Sequence, residues 1–477
     1  MKHNTKSERY PELLQELYQL ILAHRAAFKQ ERTFLRAMAL LMGELFSFAR
    51  HTVTQGLLAL GLTDADWSAW YRLFSRQRFT EALLAHYLFV QTLRHVAPTQ
   101  PYVIGVDVTQ VPRASLKMPG TSWLKASGTA AFRPGIHRAQ RFLNGSWLLP
   151  IEVGYSRAIP LRFLPAFLEK AVPAESPACK EWEAGLQMVA WTRTELNAAG
   201  RAEQLLLTLG DGAYDREGFW RGLPPGVAAV VRTAKNRRLR GLLSSYSGRG
   251  TKNRKYGADL PHPSDWLAVR QGWQEQAIWV RGRQWQLTYR IEGPLLRQGC
   301  PDRPLFLLVI RGHSWKAGKK EGKRKYRKPA FYLISALPDG DGWRLPLAEQ
   351  ELLEWVWQRW ELEVTHRELK SGLGLGEKQC WNSCSAVLSV QWSAWVYAVL
   401  VLAGFRTWGL FGGPHPPGRW WPGARRWSLA TLWRSYRAAF WGTPEFRAVW
   451  TGTGDNWLKK EAWIAGLQNS VAAAARI

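Results

Sequence analysis

Two acids in this chain stand at the ends of apolar runs that read as strands. Asp107 follows YVIGV directly, and Asp211 follows LLLTLG directly. A carboxylate in that position is costly to bury unless a metal or a cation neutralises it. A third acid, Glu363, lies in the helical run ELLEWVWQRWELEVTHRELKSGLG, where Arg359, Glu363, His366 and Lys370 fall at i, i+4, i+7 and i+11. Those spacings correspond to roughly 0°, 40°, −20° and 20° around a helix, so the four side chains leave from one narrow arc. Taken alone, such an arc reads equally well as a solvated face with surface ion pairs, each worth roughly 0–1 kcal/mol. Three carboxylates meeting at sheet ends add hard oxygen ligands of the kind that suit Mg²⁺. Two such ions about 3.5–4 Å apart activate an attacking oxygen and stabilise a leaving one in phosphoryl transfer. Arg359 and Lys370 would then grip phosphates beside them.

The elements that must bring these residues together follow from hydrophobic period. Residues 1–98 read as a helical unit, with YPELLQELYQLILAH and RTFLRAMALLMGELFSFA spaced at three and four. Within it Gly61 ends a short helix, and Thr63 with Asp66 forms a capping pair for the next. Helix, glycine turn and helix resemble a helix-turn-helix beside Arg72, Arg76 and Arg78; an ordinary hairpin with Trp67, Trp70 and Phe74 in its core is the other reading. Residues 99–235 change to strands: YVIGV, RFLNGSWLLPIEV, IPLRFL, QLLLTLG and VAAVVRTA, with the helix KEWEAGLQMVAWTRTELNAAG among them. That order predicts a mixed α/β sheet. Residues 236–338 read as a β-rich insertion with basic loops KNRRLRGLLSSYSGRGTKNRKY and KAGKKEGKRKYRK. Residues 339–410 return to helix, which runs from about 346 to about 409. A Pro/Gly break, GGPHPPGRWWPG, then opens a Trp-rich helical tail at 411–477.

Composition narrows the class of partner. The chain has 477 residues, more than one hydrophobic core usually serves. Its 46% hydrophobic residues exclude a disordered chain. It carries 65 Lys and Arg against 37 Asp and Glu, a formal net charge of +28, which favours a polyanionic partner, nucleic acid or an anionic membrane. Four cysteines in so long a chain argue against a disulfide framework, and Cys380 with Cys384 lack the second pair a zinc site needs. No apolar signal segment opens the sequence. SAVLSVQWSAWVYAVLVLAGF, residues 385–405, has the length to span a bilayer, but three serines and a glutamine interrupt it, and a helix buried in a core is expected.

The segment around Glu363 resembles the YREK signature of bacterial insertion-sequence DDE transposases: Tyr, two residues, Arg, three residues, Glu, six residues, Lys. Arg359, Glu363 and Lys370 match its last three positions, while Val356 stands where the Tyr belongs. His366 matches a position that is His in some members. GVDVTQVPR and LGDGAYD resemble the motifs around the first and second Asp, and the spacing of 152 positions from Asp211 to Glu363 resembles members that insert a β-rich domain there. The resemblance implies an RNase H-like catalytic domain and cut-and-paste transposition by a bacterial, cytoplasmic, nucleoid-associated enzyme. Asp107, Asp211 and Glu363 would bind two Mg²⁺ ions, with Mn²⁺ as a substitute. The expected partners are double-stranded DNA and a second copy of the chain. Arg359, Lys370, His366, Arg237, Arg238, Lys319, Lys320 and Arg324 are the expected DNA contacts, making binding salt-sensitive, and Trp279 or Trp285 is a candidate to stack on a flipped base, set against a core role. Two other readings fit the same residues: a DNA-binding protein that has lost catalysis, and an RNase H-like nuclease that does not join strands.

Overall fold

Apolar runs without alternation belong in strands covered on both faces, and the strand-ending acids sit on such runs. The computed structural model describes residues 11–443, apart from residues 49, 116–117, 127–134, 170–177, 244–254, 317–323, 381, 415–425 and 442. Helices come first: α1 (Glu12–Ala23), α2 (Glu31–Phe46), α3 (Val53–Ala59), α4 (Ser68–Ser75) and α5 (Glu81–Leu93). Then follow β1 (Tyr102–Pro112), β2 (Thr121–Lys125), β3 (Ile136–Leu148), β4 (Ala158–Pro165), α6 (Glu181–Ala198), β5 (Leu206–Gly210), α7 (Glu217–Gly222) and β6 (Val227–Arg232). A strand-rich stretch contains β7 (Leu239–Arg240), β8 (Asp259–Leu260), β9 (Gln274–Val280), β10 (Arg283–Arg297), β11 (Cys300–Ile310), β12 (His313–Lys316), β13 (Arg324–Arg327), β14 (Ala330–Ser335), β15 (Leu337–Asp339) and β16 (Gly342–Arg344). The last helices are α8 (Glu349–Gln358), α9 (Trp360–Gly372), α10 (Ser383–Trp408) and α11 (Leu429–Trp441).

The mixed α/β sheet expected from the strand pattern is present. Its centre is β1, which runs parallel to β5, and β5 parallel to β6. On the other side of β1 lies β3, antiparallel, which in turn pairs with β2 at one end and β4 at the other. Alternate residues of the central strands serve two cores. Ile104, Val106, Leu206 and Val231 face the N-terminal helices, α6 and α10, while Val103, Leu207, Leu209 and Val230 face α8 and Leu362 of α9. Residues 236–338 are rich in strand, as their composition predicts. Their longer strands continue this same sheet: β14 pairs with β6, then come β11 and β10, with β9 on the far side of β10.

The helical stretch expected from 346 to 409 is interrupted. Gly374 and Gly376 take φ of +55° and +100°, and the loop they form separates α9 from α10. Positive φ is strained for side chains with a Cβ, so these glycines stop the helix where the sequence places them. The long apolar helix α10 could cross a membrane by length and hydropathy, but it is buried inside the protein along nearly its whole length, as expected of a core helix. It packs on β4 and on α1, α4 and α5.

The short helices α3 and α4 flank Gly61, which takes φ of +69°. Asp66 caps the second of them by accepting from the backbone N–H and hydroxyl of Ser68, at 2.9 and 2.8 Å, rather than pairing with Thr63. Trp70 and Phe74 are buried, Arg72 and Arg76 are exposed, and Arg78 is half-buried. Glu44 of α2 is buried and pairs with Lys378 at 2.6 Å and with His51 at 3.0 Å. That cluster ties the N-terminal helices to the segment just after α9. All four cysteines are free.

Candidate active site

β1 carries Asp107 outward past five buried residues to a site where its side chain keeps 14% exposure. Its Oδ1 accepts the N–H of Val108 at 2.9 Å. On the neighbouring parallel strand Val106 pairs with Gly210, so the next residues along, Asp107 and Asp211, leave the sheet side by side. Asp211 caps the tight turn that follows by accepting the N–H of Ala213 at 2.8 Å. Glu363 arrives from α9, which lies across the same face. A Cβ on Gly105 would stand 2.7 Å from Leu362 Cδ1, so the missing side chain is what lets the helix approach so closely.

Arg359 joins two of the acids. Its guanidinium donates to Glu363 at 2.8 Å and stands 3.6 Å from Asp107. Burial raises the Asp107 carboxyl to about 7, and the carboxylates of Asp211, Glu363 and Glu181 add to the rise, while Arg359 opposes it. Lys370 is held below its ordinary value by burial, with Asp107 pulling the other way. Among the described residues no three His, Cys, Asp or Glu side chains stand close enough to hold one ion as they are arranged. The chemistry of the donors nevertheless suits a hard divalent cation. Asp107 is raised mainly by burial, and Asp211 and Glu363 add to the rise, so hard oxygen donors stand where a cation would relieve their charge.

Residues 20–290, more than half of the chain, match the family described as DDE superfamily endonuclease. The chain belongs to this family. Asp107 and Asp211 lie inside the matched residues, and Glu363 lies beyond them. No curated protein matches the sequence. A solved structure of similar shape is a cryo-electron-microscopy piggyBac transposase synaptic complex with hairpin DNA. It shares 10% identity over 96% of this chain and 83% of its own, with a TM-score of 0.34, too loose a likeness to assign any residue.

Not every cation expected to face DNA does so in this DDE endonuclease. His366 is 8% exposed and hydrogen-bonds Asn144 through Nε2 at 3.1 Å, because the helix arc that carries Glu363 also faces the sheet. Burial, with Lys370 and Arg359 nearby, lowers its imidazole to about 3, so it is neutral and offers no charge to a phosphate. Arg237 is turned inward to Asp215 at 2.6 Å. Arg238 is exposed. Lys319 and Lys320 lie outside the described residues, and of Arg324 only its backbone place in β13 is described. Trp279 is 41% exposed on β9, while Trp285 is half-buried against His313.

The sequence reading missed three features of the site. Asp215, four residues after Asp211, is 1% exposed and takes hydrogen bonds from Thr233, Arg237, Arg297 and the Trp220 indole. It pins the turn that presents Asp211. Glu181, in the first turn of α6, pairs with Arg141 and lines a cavity of about 400 Å³ with Lys180, Trp182, Ala213 and Arg216. Asn144 is fully buried directly opposite Asp107. No spacing rule points to any of them, because each depends on a strand register or a helix packing that is not local in sequence.

Proposed function

We propose that this DDE endonuclease is a transposase that cuts DNA at the ends of a mobile element and joins the freed ends to target DNA. Asp107, Asp211 and Glu363 are its catalytic carboxylates. The observation that carries the reading is the meeting of Asp107 and Glu363 around one arginine, at the level where Asp211 leaves the adjacent strand. Divalent metal, with two Mg²⁺ ions expected and Mn²⁺ as a substitute, supplies activation of the attacking oxygen and stabilisation of the leaving one when bound by these carboxylates.

The chain's own side chains do the rest. Arg359 keeps Asp107 and Glu363 paired and then turns its planar donors to a phosphate of the bound strand. Lys370, beside Asp107, adds a second positive charge on the same helix face. The surplus of +28 draws the DNA backbone to a pocket that is itself acidic. Exposed Arg238 and the basic segments holding Lys319, Lys320 and Arg324 extend the phosphate track. The resemblance to insertion-sequence transposases supports a bacterial, cytoplasmic enzyme that pairs two element ends as a dimer.

The test is cleavage and joining of DNA carrying the element's ends with Mg²⁺, comparing wild type with Glu363→Gln. Wild type is expected to cut and join, and the variant to bind DNA and do neither. A fully active variant would remove Glu363 from the site. Binding without cutting by both proteins would favour a DNA-binding protein that has lost catalysis. Cutting without joining would favour an RNase H-like nuclease.

A further inference from the structure

We propose that Asn144 and His366 form a latch that sets α9 in phase on the sheet, so that Glu363 meets Asp107, and that His366 is a positioning residue rather than a DNA contact. This rests on the functional reading above and names the part of the fold that holds its geometry.

The argument starts from a polar residue in an apolar strand. Asn144 interrupts RFLNGSWLL in β3 and is fully buried. In the β1–β3 register it stands directly across from Asp107. Residues directly opposite in a sheet point to the same face, so its amide shares the α9 side with Asp107. Both ends of that amide are engaged. Its nitrogen donates to His366 Nε2 at 3.1 Å, and its oxygen accepts the Ser146 hydroxyl at 2.9 Å. His366 lies three residues beyond Glu363, nearly one helical turn along the same face.

An amide and an imidazole are costly at a dry helix–sheet contact unless each satisfies the other. A pair of aliphatic side chains would fill that space without such a requirement. What the polar pair adds is direction, since it bonds at only one rotation of the helix. Other ties between α9 and the sheet include Leu362 packed over Gly105, the Thr365 hydroxyl donating to the Ala158 carbonyl at 3.2 Å, and Arg359 standing 3.6 Å from Asp107; of all these ties only the Asn144–His366 pair sets a polar contact one turn beyond Glu363. Catalytic groups must be held to within about 0.5 Å of their productive places, and a contact one turn from Glu363 and one strand from Asp107 is well placed to do it.

The test uses the full chain with His366→Leu, Asn144→Leu, the double variant and His366→Gln. Three quantities are read: maximal cleavage rate at saturating DNA and Mg²⁺, DNA affinity by fluorescence anisotropy, and Mn²⁺ binding by electron paramagnetic resonance. Each leucine variant is expected to cut about tenfold to a hundredfold more slowly, to bind Mn²⁺ more weakly, and to keep its DNA affinity. The double variant should be no worse than either single one, since the two residues act as one contact. His366→Gln, whose amide oxygen can accept the same hydrogen bond, should recover most of the rate. If the leucine variants fail to fold, Asn144→Ser and His366→Gln serve instead, the first slow and the second near wild type.

Loss of DNA affinity with an unchanged maximal rate would make His366 a DNA contact and overturn the latch. So would single losses that multiply in the double variant. Unchanged variants beside an active wild type would remove the latch alone. A wild type that neither binds Mn²⁺ nor cuts would remove the transposase reading and the latch with it.

Discussion

Replacing Asp107 by asparagine should stabilise the folded protein at pH 8 while abolishing cleavage. Asparagine keeps the shape and can still accept the N–H of Val108, now at 2.9 Å from the carboxylate. What it removes is a carboxyl that the fold raises from 3.8 to about 7. Between those pH values the unfolded chain has released the proton and the folded chain has not. Folded protein therefore binds more protons, and the carboxyl's contribution is fully present below about pH 4 and is lost as pH rises to about 7. Three pH units at about 1.4 kcal/mol each set an upper limit of ~4 kcal/mol for the cost carried at pH 8. The pull of Arg359, 3.6 Å from Asp107, is already contained in that value, and solvent screening at a carboxyl still 14% exposed trims the limit. A net gain of ~2 kcal/mol remains, a large effect for one substitution. The assay is thermal melting with a chelator present, from pH 4.5 to pH 8, for both proteins. The curves should lie closest at pH 4.5, where about 1 kcal/mol of the difference is present, and separate further in favour of the variant as pH rises. Mg²⁺ should raise the melting temperature of wild type at pH 8 more than that of the variant, because a ligand stabilises only the fold that binds it. If the variant melts at or below wild type at pH 8, with the same offset at pH 4.5, Asp107 is not a desolvated acid among like charges, and the electrostatic account of this site fails.

Further substitutions probe the supports of the site and its path for DNA. Asp215→Ala leaves Arg237 and Arg297 without the carboxylate they share at 2.6 and 2.7 Å, which should cost about 3–5 kcal/mol in urea unfolding; an unchanged midpoint would mean that the cluster does not hold the Asp211 turn. Gly105→Ala puts a Cβ 2.7 Å from Leu362, so α9 must shift; cleavage should fall about tenfold at unchanged DNA affinity, and Leu362→Ala in the same chain should restore part of it. Arg238→Ala should lower the slope of log affinity against log salt by about one with no loss of stability, whereas Arg237→Ala should destabilise the fold; equal salt slopes for Arg238→Ala and wild type would take Arg238 off the DNA path.

The parts of this site legible in the sequence are those set by local pattern. YVIGV and LLLTLG announce buried strands because nothing charged interrupts them, so an acid at the end of each is conspicuous. The Arg359–Glu363 pairing follows from helical spacing alone, and the structure has it at 2.8 Å. The same spacing puts His366 on the arc of Glu363. An arc gives a direction and does not say whether solvent or a sheet lies that way. Here the sheet does, so a residue with the right phase is buried against Asn144 instead of facing DNA. Arg237 shows the same limit, since it sits in a basic run and its partner Asp215 lies 22 residues earlier. The strands of 236–338 were legible as strands. Their union with the catalytic sheet was not, because it is made by Tyr332 pairing with Arg232 across 100 residues of chain.

The two acids of LGDGAYD make the division plain. Both are aspartates, four residues apart. Asp215 is surrounded by donors on every side: two guanidinium groups, a threonine hydroxyl and an indole N–H. Its lone pairs are spent, so it is stable where it is and has nothing left to offer a ligand. Asp211 has one backbone N–H as its hydrogen-bond donor among the described residues and faces Asp107 across the strand pair. A carboxylate with one protein donor, beside another carboxylate and partly open to solvent, is free to take a cation, and that is the reason to read it as a site for one. The acid that looks better placed for stability is the structural one, and the acid that looks worse placed is the one expected to do chemistry.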